Sequence, residues 1–213
     1  MKRLRIFLAD DHAIVREGLR ALLQRHNSFE VVGEAADGHE ALAEIERTRP
    51  DIIVMDIAMP NLNGLEATRR VRTLLPNARV LVLSMYDDAQ YVQQILDAGA
   101  SGYVLKGSAS GELLDALSAL RHNKPYVTPS LEVHAAPRRS SRGRAPSDDP
   151  LTAREREVLQ LLAEGNSYAQ IGERLGISPK TAETHRTHIA TKLGIRDLAG
   201  LVKYAVRRRL VQG

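Results

Sequence analysis

The chain has 213 residues, a formal net charge of +4, 43% hydrophobic and 26% charged residues, and no cysteine. This composition is typical of one or two globular domains and excludes a disordered or fibrous chain. Without cysteine there are no disulfide frameworks, thiolate metal sites or cysteine nucleophiles. No apolar run reaches the roughly 18 residues of a membrane span, and Asp10 and Asp11 interrupt the apolar start too early for a signal peptide. The sequence therefore predicts a cytoplasmic protein with no membrane partner.

Charge divides the chain into an acidic front and a basic back. Residues 1–130 carry 15 Lys and Arg against 17 Asp and Glu, whereas residues 131–213 carry 15 against 9. The net charges of −2 and +6 indicate separate tasks and favour a polyanionic partner for the second part. Residues 137–150 are rich in proline, glycine, serine and charge, which is typical of a mobile linker. Its four arginines could contact nucleic acid, but a solvated basic linker is the favoured interpretation.

Five short apolar runs alternate with five segments of helical periodicity in the front half. The runs are β-branched or leucine-rich and too short for helices, so they predict strands. The strands span residues 4–9, 29–35, 52–55, 79–83 and 102–105, and the helices span residues 14–25, 39–48, 64–74, 89–98 and 111–121. Such repeats predict an α/β domain with a doubly wound, five-stranded parallel sheet covered by helices.

The back half has four helical segments and no strand pattern. The helices span residues 151–163, 168–175, 178–193 and 197–209. Thr152 and Glu155 have capping-box spacing, and Ser178 is a cap for the third helix. The tight turn Gly176-Ile177 joins the second and third helices, which is typical of a helix-turn-helix in a basic domain. We therefore predict a first domain over residues 1–125, a linker with room for a short helix over 126–149, and an all-α four-helix domain over 150–213.

Polar residues follow the predicted strands at their carboxyl ends. Asp10 and Asp11 follow the first strand, Asp56 the third, Ser84 the fourth and Lys106 the fifth. In a doubly wound sheet these ends converge on one edge. Adjacent carboxylates repel one another, and Mg²⁺ relieves that repulsion because it prefers oxygen ligands. Carboxylates, a cation, an amine and a hydroxyl can hold a phosphoryl group in line with an attacking carboxylate. A lone aspartate after a strand would indicate a helix cap. Five residues of the required types at the strand ends instead favour a magnesium-dependent phosphoryl-transfer site.

These motifs resemble the receiver domain of two-component systems over about residues 1–125. The matching motifs are Asp10-Asp11-His12, Asp56-Ile57-Ala58-Met59-Pro60 with Asn63-Gly64, Leu83-Ser84 and Gly102-Tyr103-Val104-Leu105-Lys106. The resemblance implies that Asp56 accepts a phosphoryl group from the histidine of a sensor histidine kinase. It also implies that Asp11, Asp56 and the Ala58 carbonyl ligate Mg²⁺, with Asp10 acting through water.

The same resemblance assigns roles around the phosphoryl group. Lys106 would pair with it, Ser84 would move toward it, and Tyr103 would follow inward. A tyrosine at a strand edge is also typical of plain packing. Gly107 stands where many receivers have a proline, so the loop after Lys106 departs from the common pattern.

The third helix of the back half has two faces when its residues are placed about 100° apart. Ala182, Ile189 and Leu193 fall on the side that must face the domain core. The opposite side carries Lys180, Thr184, Thr187 and Thr191, flanked by Glu183 and His188, with His185 and Arg186 on the shoulders. A basic, hydroxyl-rich face of small side chains fits a DNA major groove; the alternative is a solvated surface helix. The spacing of His185 and His188 is compatible with zinc, but phosphate contact or packing is favoured.

The back half resembles a LuxR-type helix-turn-helix domain. The matching residues are 151–159, 163–165, 171–172, 177–186 and 192–195. The resemblance implies base contacts from Glu183, Thr184 and Thr187, and backbone contacts from Lys180, Thr181, His185 and Lys192, with His188 beside them. It also implies pairing of DNA-bound partners through the fourth helix. Together the two resemblances identify the chain as a member of the NarL/FixJ family of response regulators.

The sequence therefore predicts a transcription regulator, and not an enzyme, in which phosphorylation controls DNA binding and dimerisation. The expected partners are a sensor histidine kinase, double-stranded promoter DNA, a second copy of the chain on DNA, and RNA polymerase. One alternative is a magnesium-dependent aspartyl-phosphate hydrolase, although Ala58 stands where such enzymes usually need a second aspartate. Another is a phosphorelay intermediate, which would not need the helix-turn-helix.

Overall fold

The structure is a computed structural model that describes residues 3–107, 110–132 and 149–211. The chain divides into two compact units, Met1–Arg138 and Arg139–Gly213. Most of the predicted linker, including its four arginines, lies outside the described residues. No helix in the described ranges is long and apolar enough to cross a membrane.

The first unit is a parallel sheet with helices on both faces. Its strands are β1 (Leu4–Ala9), β2 (Phe29–Ala35), β3 (Ile52–Asp56), β4 (Arg79–Ser84), β5 (Gly102–Leu105) and β6 (Tyr126–Val127), in the order β2-β1-β3-β4-β5-β6. Its helices are α1 (Ala13–Gln24), α2 (Gly38–Thr48), α3 (Gly64–Leu74), α4 (Ala89–Asp97), α5 (Ser110–Arg121) and α6 (Pro129–Glu132). The predicted doubly wound α/β fold is confirmed, and each predicted strand and helix agrees with the structure to within one residue at either end.

The sheet has six strands, whereas five were predicted. The additional strand, β6, pairs in parallel with β5. The Thr128 N–H then donates to the Tyr103 carbonyl at 3.0 Å, and the Thr128 hydroxyl accepts from the Leu105 N–H at 3.2 Å. Leu131 in α6 is buried in the core that covers one face of the sheet. Residues 126–132, predicted to begin the linker, therefore pack with the sheet.

The central strands are buried on both faces because successive side chains of a strand point to opposite sides. Ile53 and Met55 pack with α2, α3 and α4, whereas Ile52 and Val54 pack with α1 and α5. Complete burial of a side chain of this size contributes about 1.5–3 kcal/mol. Packing on both faces thus fixes the strand ends and the polar residues that follow them.

The second unit consists of helices, as predicted. Its described helices are α7 (Ala153–Ala163), α8 (Tyr168–Leu175), α9 (Pro179–Leu193) and α10 (Leu198–Arg207). Thr152 and Glu155 form the predicted capping box at the start of α7, and Ser178 caps α9. Gly176 ends α8 at a φ of 63°, a left-handed conformation that glycine adopts without a steric penalty. This residue produces the sharp turn between α8 and α9.

Candidate functional site

The predicted acidic residues meet at the carboxyl edge of the sheet. Asp10 follows β1, Asp56 ends β3 and Lys106 follows β5. The Lys106 Nζ lies 2.8 Å from Asp10 Oδ2 and 2.7 Å from Asp56 Oδ2. Ligand atoms of Asp10, Asp11, His12 and Asp56 lie within 4.8 Å of one another, the one such group of three or more found in the described part of the chain. We call these residues and Lys106 the acidic pocket.

The helices beside the acidic pocket are not capped by its carboxylates. His12 is the N-cap residue of α1, and Asp10 Oδ1 accepts a hydrogen bond from its backbone N–H at 3.0 Å. Asn63 caps α3 by accepting from the Glu66 N–H at 3.0 Å. The carboxylates of Asp10 and Asp56 are therefore directed to the pocket and are not used as helix caps.

Burial and charge act in opposite directions on the Asp56–Lys106 pair. Burial is the largest effect on Asp56 and raises its pKa, and the nearby Asp10 carboxylate raises it further. The Lys106 ammonium and the Ala58 N–H lower the pKa of Asp56, but the net result is a raised pKa. Burial lowers the pKa of Lys106, but the two carboxylates outweigh this effect and the net result is again a raised pKa. Lys106 is consequently charged at neutral pH.

The acidic pocket fits a hard divalent cation. Asp10 Oδ2, Asp11 Oδ1 and Asp56 Oδ2 are buried and, apart from their ion pairs, accept no hydrogen bond within the described residues. Lys106 pairs with Asp10 and Asp56, and Asp11 Oδ1 lies 2.6 Å from the His12 Nδ1, so the three carboxylates outnumber the lysine ammonium. Oxygen ligands and excess negative charge are the conditions that Mg²⁺ prefers. Asp11 is the most accessible of the three, with 29% of its side chain exposed.

Ser84 and Tyr103 hold the loop that follows β4 from two sides. Ser84 Oγ accepts from the Tyr86 N–H at 3.2 Å, and the Tyr103 hydroxyl donates to the Tyr86 carbonyl at 2.7 Å. The Lys106 N–H also donates to the Ser84 carbonyl at 2.8 Å. Tyr103 is fully buried in this structure, and its inward movement on phosphorylation stays a prediction. These contacts connect the acidic pocket to the β4–α4 loop.

Gly64 brings α3 against the backbone of Asp56. A Cβ atom at this position would lie 1.9 Å from the Asp56 carbonyl oxygen. The Gly64 N–H also donates to the Ile57 carbonyl at 2.9 Å. The sequence motif contained Gly64, but only the structure shows that it positions the main chain of the predicted phosphoacceptor.

Helix α9 has the two faces that its periodicity predicts. Ala182 and Ile189 are fully buried, and Leu193 packs against the same core. Of the predicted DNA contacts, Lys180, Thr181, Glu183, Thr184, Thr187, His188 and Lys192 are exposed and His185 is half-buried. The division into an inward and an outward face is thus confirmed, and DNA contact by the outward face stays a prediction.

Lys192 makes a contact that the sequence did not predict. Its Nζ lies 2.7 Å from Glu155 Oε2, and the Glu155 side chain is only 5% exposed. Glu155 also accepts from the Thr152 N–H at 2.8 Å as part of the capping box. Lys192 therefore connects the C-terminal part of α9 to the start of α7 and helps to orient the outward face.

Replacing Lys192 with methionine is expected to destabilise the second unit by about 0.5–1 kcal/mol at neutral pH, because the Glu155 carboxylate loses a cation that is partly screened by solvent. Burial raises the pKa of Glu155, but Lys192 and Thr152 outweigh it and hold the pKa below the ordinary 4.5. A carboxylate with a lowered pKa stabilises the folded state at pH values above its ordinary pKa. This contribution is lost as the pH falls through the pKa of the folded state. Urea unfolding at neutral pH and at about pH 4 should show a smaller difference from wild type at the lower pH. Lys203→Met, an exposed change on α10, is the matched control and should have little effect; a pH-independent difference would contradict the ion-pair explanation.

Comparison with known proteins covers both units. Residues 6–118 match the family described as "Response regulator receiver domain", and residues 149–205 match "Bacterial regulatory proteins, luxR family". The oxygen regulatory protein NreC of Staphylococcus aureus is 38% identical over 216 residues, which cover 98% of this chain and 100% of NreC. The chain belongs to the LuxR-type response regulators. It is a phosphorylation-dependent, DNA-binding transcription regulator of a two-component system.

Solved structures of response regulators share this fold. A LuxR-family two-component response regulator from Aurantimonas sp. SI85-9A1 is 41% identical, with a TM-score of 0.60 over 62% of this chain and 94% of that chain. RcsB of Salmonella typhimurium is 28% identical, with a TM-score of 0.64 over 96% of this chain and 97% of that chain. A complex of RcsB with DNA has a TM-score of 0.60 at 27% identity, over 95% of this chain and 98% of that chain.

Proposed function

We propose that Asp56 of this response regulator accepts a phosphoryl group from the histidine of a sensor kinase. The observation that supports this proposal is the position of the Lys106 Nζ, within 2.8 Å of both Asp56 and Asp10 at the edge where three carboxylates meet. An Asp56 carboxylate oxygen forms the new bond to phosphorus as the bond from phosphorus to the kinase histidine breaks. Lys106 then pairs with a phosphoryl oxygen and keeps the added charge neutralised.

The acidic pocket also supports Mg²⁺ as the cofactor. Asp11, Asp56 and the Ala58 carbonyl would hold the cation directly, and Asp10 would hold it through water. The bound cation would neutralise charge on the phosphoryl oxygens and fix their orientation. Asp10 and Asp11 would then keep the neighbouring Asp56 carboxylate in a fixed position for attack.

A change at Asp56 can reach the β4–α4 loop through the contacts described above. Phosphorylation gives Lys106 a new anionic partner and gives the Ser84 hydroxyl an acceptor. Since Ser84 Oγ accepts from the Tyr86 N–H, movement of Ser84 alters that bond. Tyr103 holds the Tyr86 carbonyl from the other side and sets how far the loop shifts. The receiver thus has two arrangements whose populations phosphorylation changes.

The proposed readout is DNA binding by α9 and dimerisation through α10. RcsB, which shares the fold, has been solved as a complex with DNA, and this supports a promoter DNA partner here. Leu198 and Val206 lie two turns apart on α10 and are 49% and 36% exposed, which supports pairing of two copies. RNA polymerase is a further proposed partner, and chromosomal DNA as the target supports a cytoplasmic location.

Phosphoryl uptake separates this function from that of a hydrolase. Wild-type protein is incubated with acetyl phosphate and Mg²⁺, and protein-bound and free phosphate are both measured. A regulator takes up roughly one phosphoryl group per chain and releases it slowly, whereas a hydrolase releases phosphate through many turnovers. Phosphate release without accumulation of the acyl phosphate would contradict a regulatory role.

A promoter titration separates two modes of control. The three species are unphosphorylated protein, phosphorylated protein and a fragment that begins at residue 147. If the receiver blocks α9, the fragment binds DNA more tightly than the unphosphorylated protein. If the receiver only promotes dimers, the fragment binds more weakly than the phosphorylated protein and no better than the unphosphorylated protein. We favour the first outcome, because residues 1–130 carry a net charge of −2 and residues 131–213 a net charge of +6, and opposite charge favours a closed form.

Lys180→Ala is expected to weaken DNA binding by a similar factor on every sequence and to reduce the log–log salt slope by about 1, because one phosphate contact is lost. Lys180 is exposed and its Nζ pairs with Glu183 Oε2 at 2.8 Å, so the ammonium can exchange that partner for a phosphate. Lys124→Ala removes an exposed lysine from the first unit and is the charge-matched control. Fluorescence anisotropy at several salt concentrations measures both slopes, and equal slopes for Lys180→Ala and wild type would exclude the contact.

A further inference from the structure

Helix α9 carries a stripe of three exposed threonines. Thr184, Thr187 and Thr191 are spaced by three and four residues, so they lie on one side of the helix. The Thr184 hydroxyl donates to the Lys180 carbonyl at 2.9 Å. The Thr187 hydroxyl donates to the Glu183 carbonyl at 3.1 Å, and the Thr191 hydroxyl donates to the Thr187 carbonyl at 3.0 Å. Each hydroxyl in this threonine stripe therefore bonds to the backbone one turn earlier.

This bonding restricts what the threonine stripe can recognise. A hydroxyl has a single hydrogen, and each hydrogen here is already donated to the helix backbone. The major-groove edge of guanine offers only acceptors, and the thymine edge offers one acceptor and a methyl group. While these bonds are kept, the stripe has no hydrogen to give to a guanine or to the thymine oxygen, and each hydroxyl oxygen can only accept. Its methyl groups are free to make apolar contact with the thymine methyl.

The cations of α9 are also engaged. Its lysines and arginine are Lys180, Arg186 and Lys192. Lys180 pairs with Glu183, and Lys192 pairs with Glu155. The Arg186 Nη2 donates to the Arg196 carbonyl at 3.1 Å. Guanine is read most often by an arginine or lysine that donates two hydrogen bonds, and each of these side chains would first have to give up its partner.

We propose that the threonine stripe reads thymine by methyl contact, with Thr184 and Thr187 each facing a thymine methyl in the major groove. These two residues lie nearer the N-terminal end of α9 than Thr191, and that end is the part of a recognition helix that reaches base edges. The inference rests on the proposed DNA-binding function of α9 and adds the chemical group that is recognised. The target sequence accordingly contains thymines opposite Thr184 and Thr187.

The test begins with full-length phosphorylated protein and a random pool of double-stranded DNA, from which a bound duplex is selected. Each thymine of that duplex is then replaced by deoxyuridine, which removes only the methyl group. Loss of one buried methyl contact is expected to weaken binding about fourfold. Thr187→Val keeps the methyl and removes the hydroxyl, and Thr187→Ser does the reverse. The corresponding variants of Thr184 form a second, independent set.

The expected result is that Thr187→Val keeps wild-type sensitivity to one deoxyuridine, whereas Thr187→Ser becomes insensitive at that position and binds the thymine duplex about fourfold more weakly. The opposite pattern would overturn methyl recognition: Thr187→Ser would keep its sensitivity to deoxyuridine and Thr187→Val would lose it. Methyl recognition would also be overturned by a selected sequence in which deoxyuridine has no effect at any position. If no duplex is selected at all, the proposed DNA-binding function fails, and that outcome is distinct from selection of a duplex that is insensitive to deoxyuridine. Circular dichroism confirms that the variants are folded.

Discussion

An Asp56→Asn protein is expected to take up no phosphoryl group from acetyl phosphate or from a partner kinase. The amide oxygen is a poor nucleophile compared with the carboxylate, and the substitution also removes a proposed Mg²⁺ ligand. Intact-mass spectrometry after incubation with acetyl phosphate and Mg²⁺ measures the loss. Chelation of Mg²⁺ should abolish uptake by the wild-type protein to the same extent. Persistent stoichiometric labelling of Asp56→Asn would exclude Asp56 as the phosphoacceptor.

Two controls show that this loss is chemical and not a loss of fold. Asp115→Asn makes the same charge change at an exposed position of α5 and should leave phosphoryl uptake unchanged. Without Mg²⁺, Asp56→Asn should be at least as stable as wild type, because burial raises the pKa of Asp56. A raised pKa means that the ionised carboxylate destabilises the folded state above its ordinary pKa of 3.8, and the amide removes that effect. Thermal unfolding at neutral pH measures the difference in stability between Asp56→Asn and wild type. This difference should become smaller as the pH falls, because the Asp56 carboxylate is then protonated in the wild type.

Gly64→Ala is expected to reduce both stability and phosphorylation. The new Cβ would lie 1.9 Å from the Asp56 carbonyl oxygen and 2.9 Å from the Ile57 Cα, so the backbone must move to accept it. Overpacking of this kind costs about 1–3 kcal/mol. Displacement of Asp56 by about 1 Å would slow phosphoryl transfer roughly a hundredfold. Urea unfolding and the initial rate of labelling by acetyl phosphate measure the two effects.

Gly18→Ala is the matched control for Gly64→Ala. Gly18 lies inside α1, and a Cβ there would meet nothing within 4 Å. Alanine should therefore stabilise this helix by about 0.5–1 kcal/mol and leave the labelling rate unchanged. Equal labelling rates for Gly64→Ala and Gly18→Ala would show that the close approach of α3 does not position Asp56.

The sequence was sufficient for five of the six strands and for the convergence of the carboxylates and Lys106, because both depend on local patterns. Short β-branched runs predicted the strands, and the polar residue at each strand end predicted which side chains converge. Asp10, Asp56 and Lys106 are separated by as many as 96 residues in sequence, yet strand direction alone brings them to one edge. The inward face of α9 was likewise predictable, since helical period decides which side chains are buried.

Other features could not be predicted because they depend on long-range contacts or on side-chain torsions. Lys192 and Glu155 lie 37 residues apart, on helices whose relative placement no periodicity encodes. The β6 strand is two residues long and lies between Pro125 and Pro129, which indicate a loop. The helical period also placed Thr187 outside but could not show that its hydroxyl bonds to the Glu183 carbonyl. That bond is the observation behind the proposed apolar contact with thymine.

The β6 strand determines where this receiver can be separated from its output domain. A chain cut after residue 125 leaves the backbone groups of β5 unpaired at the edge of the sheet, and an exposed edge strand is a template for aggregation. It also removes the Thr128 bonds to Tyr103 and Leu105 and the burial of Leu131. A chimaera that gives this receiver a different effector should therefore be joined after residue 132. The exchangeable module thus includes residues 126–132, the first residues of the predicted linker.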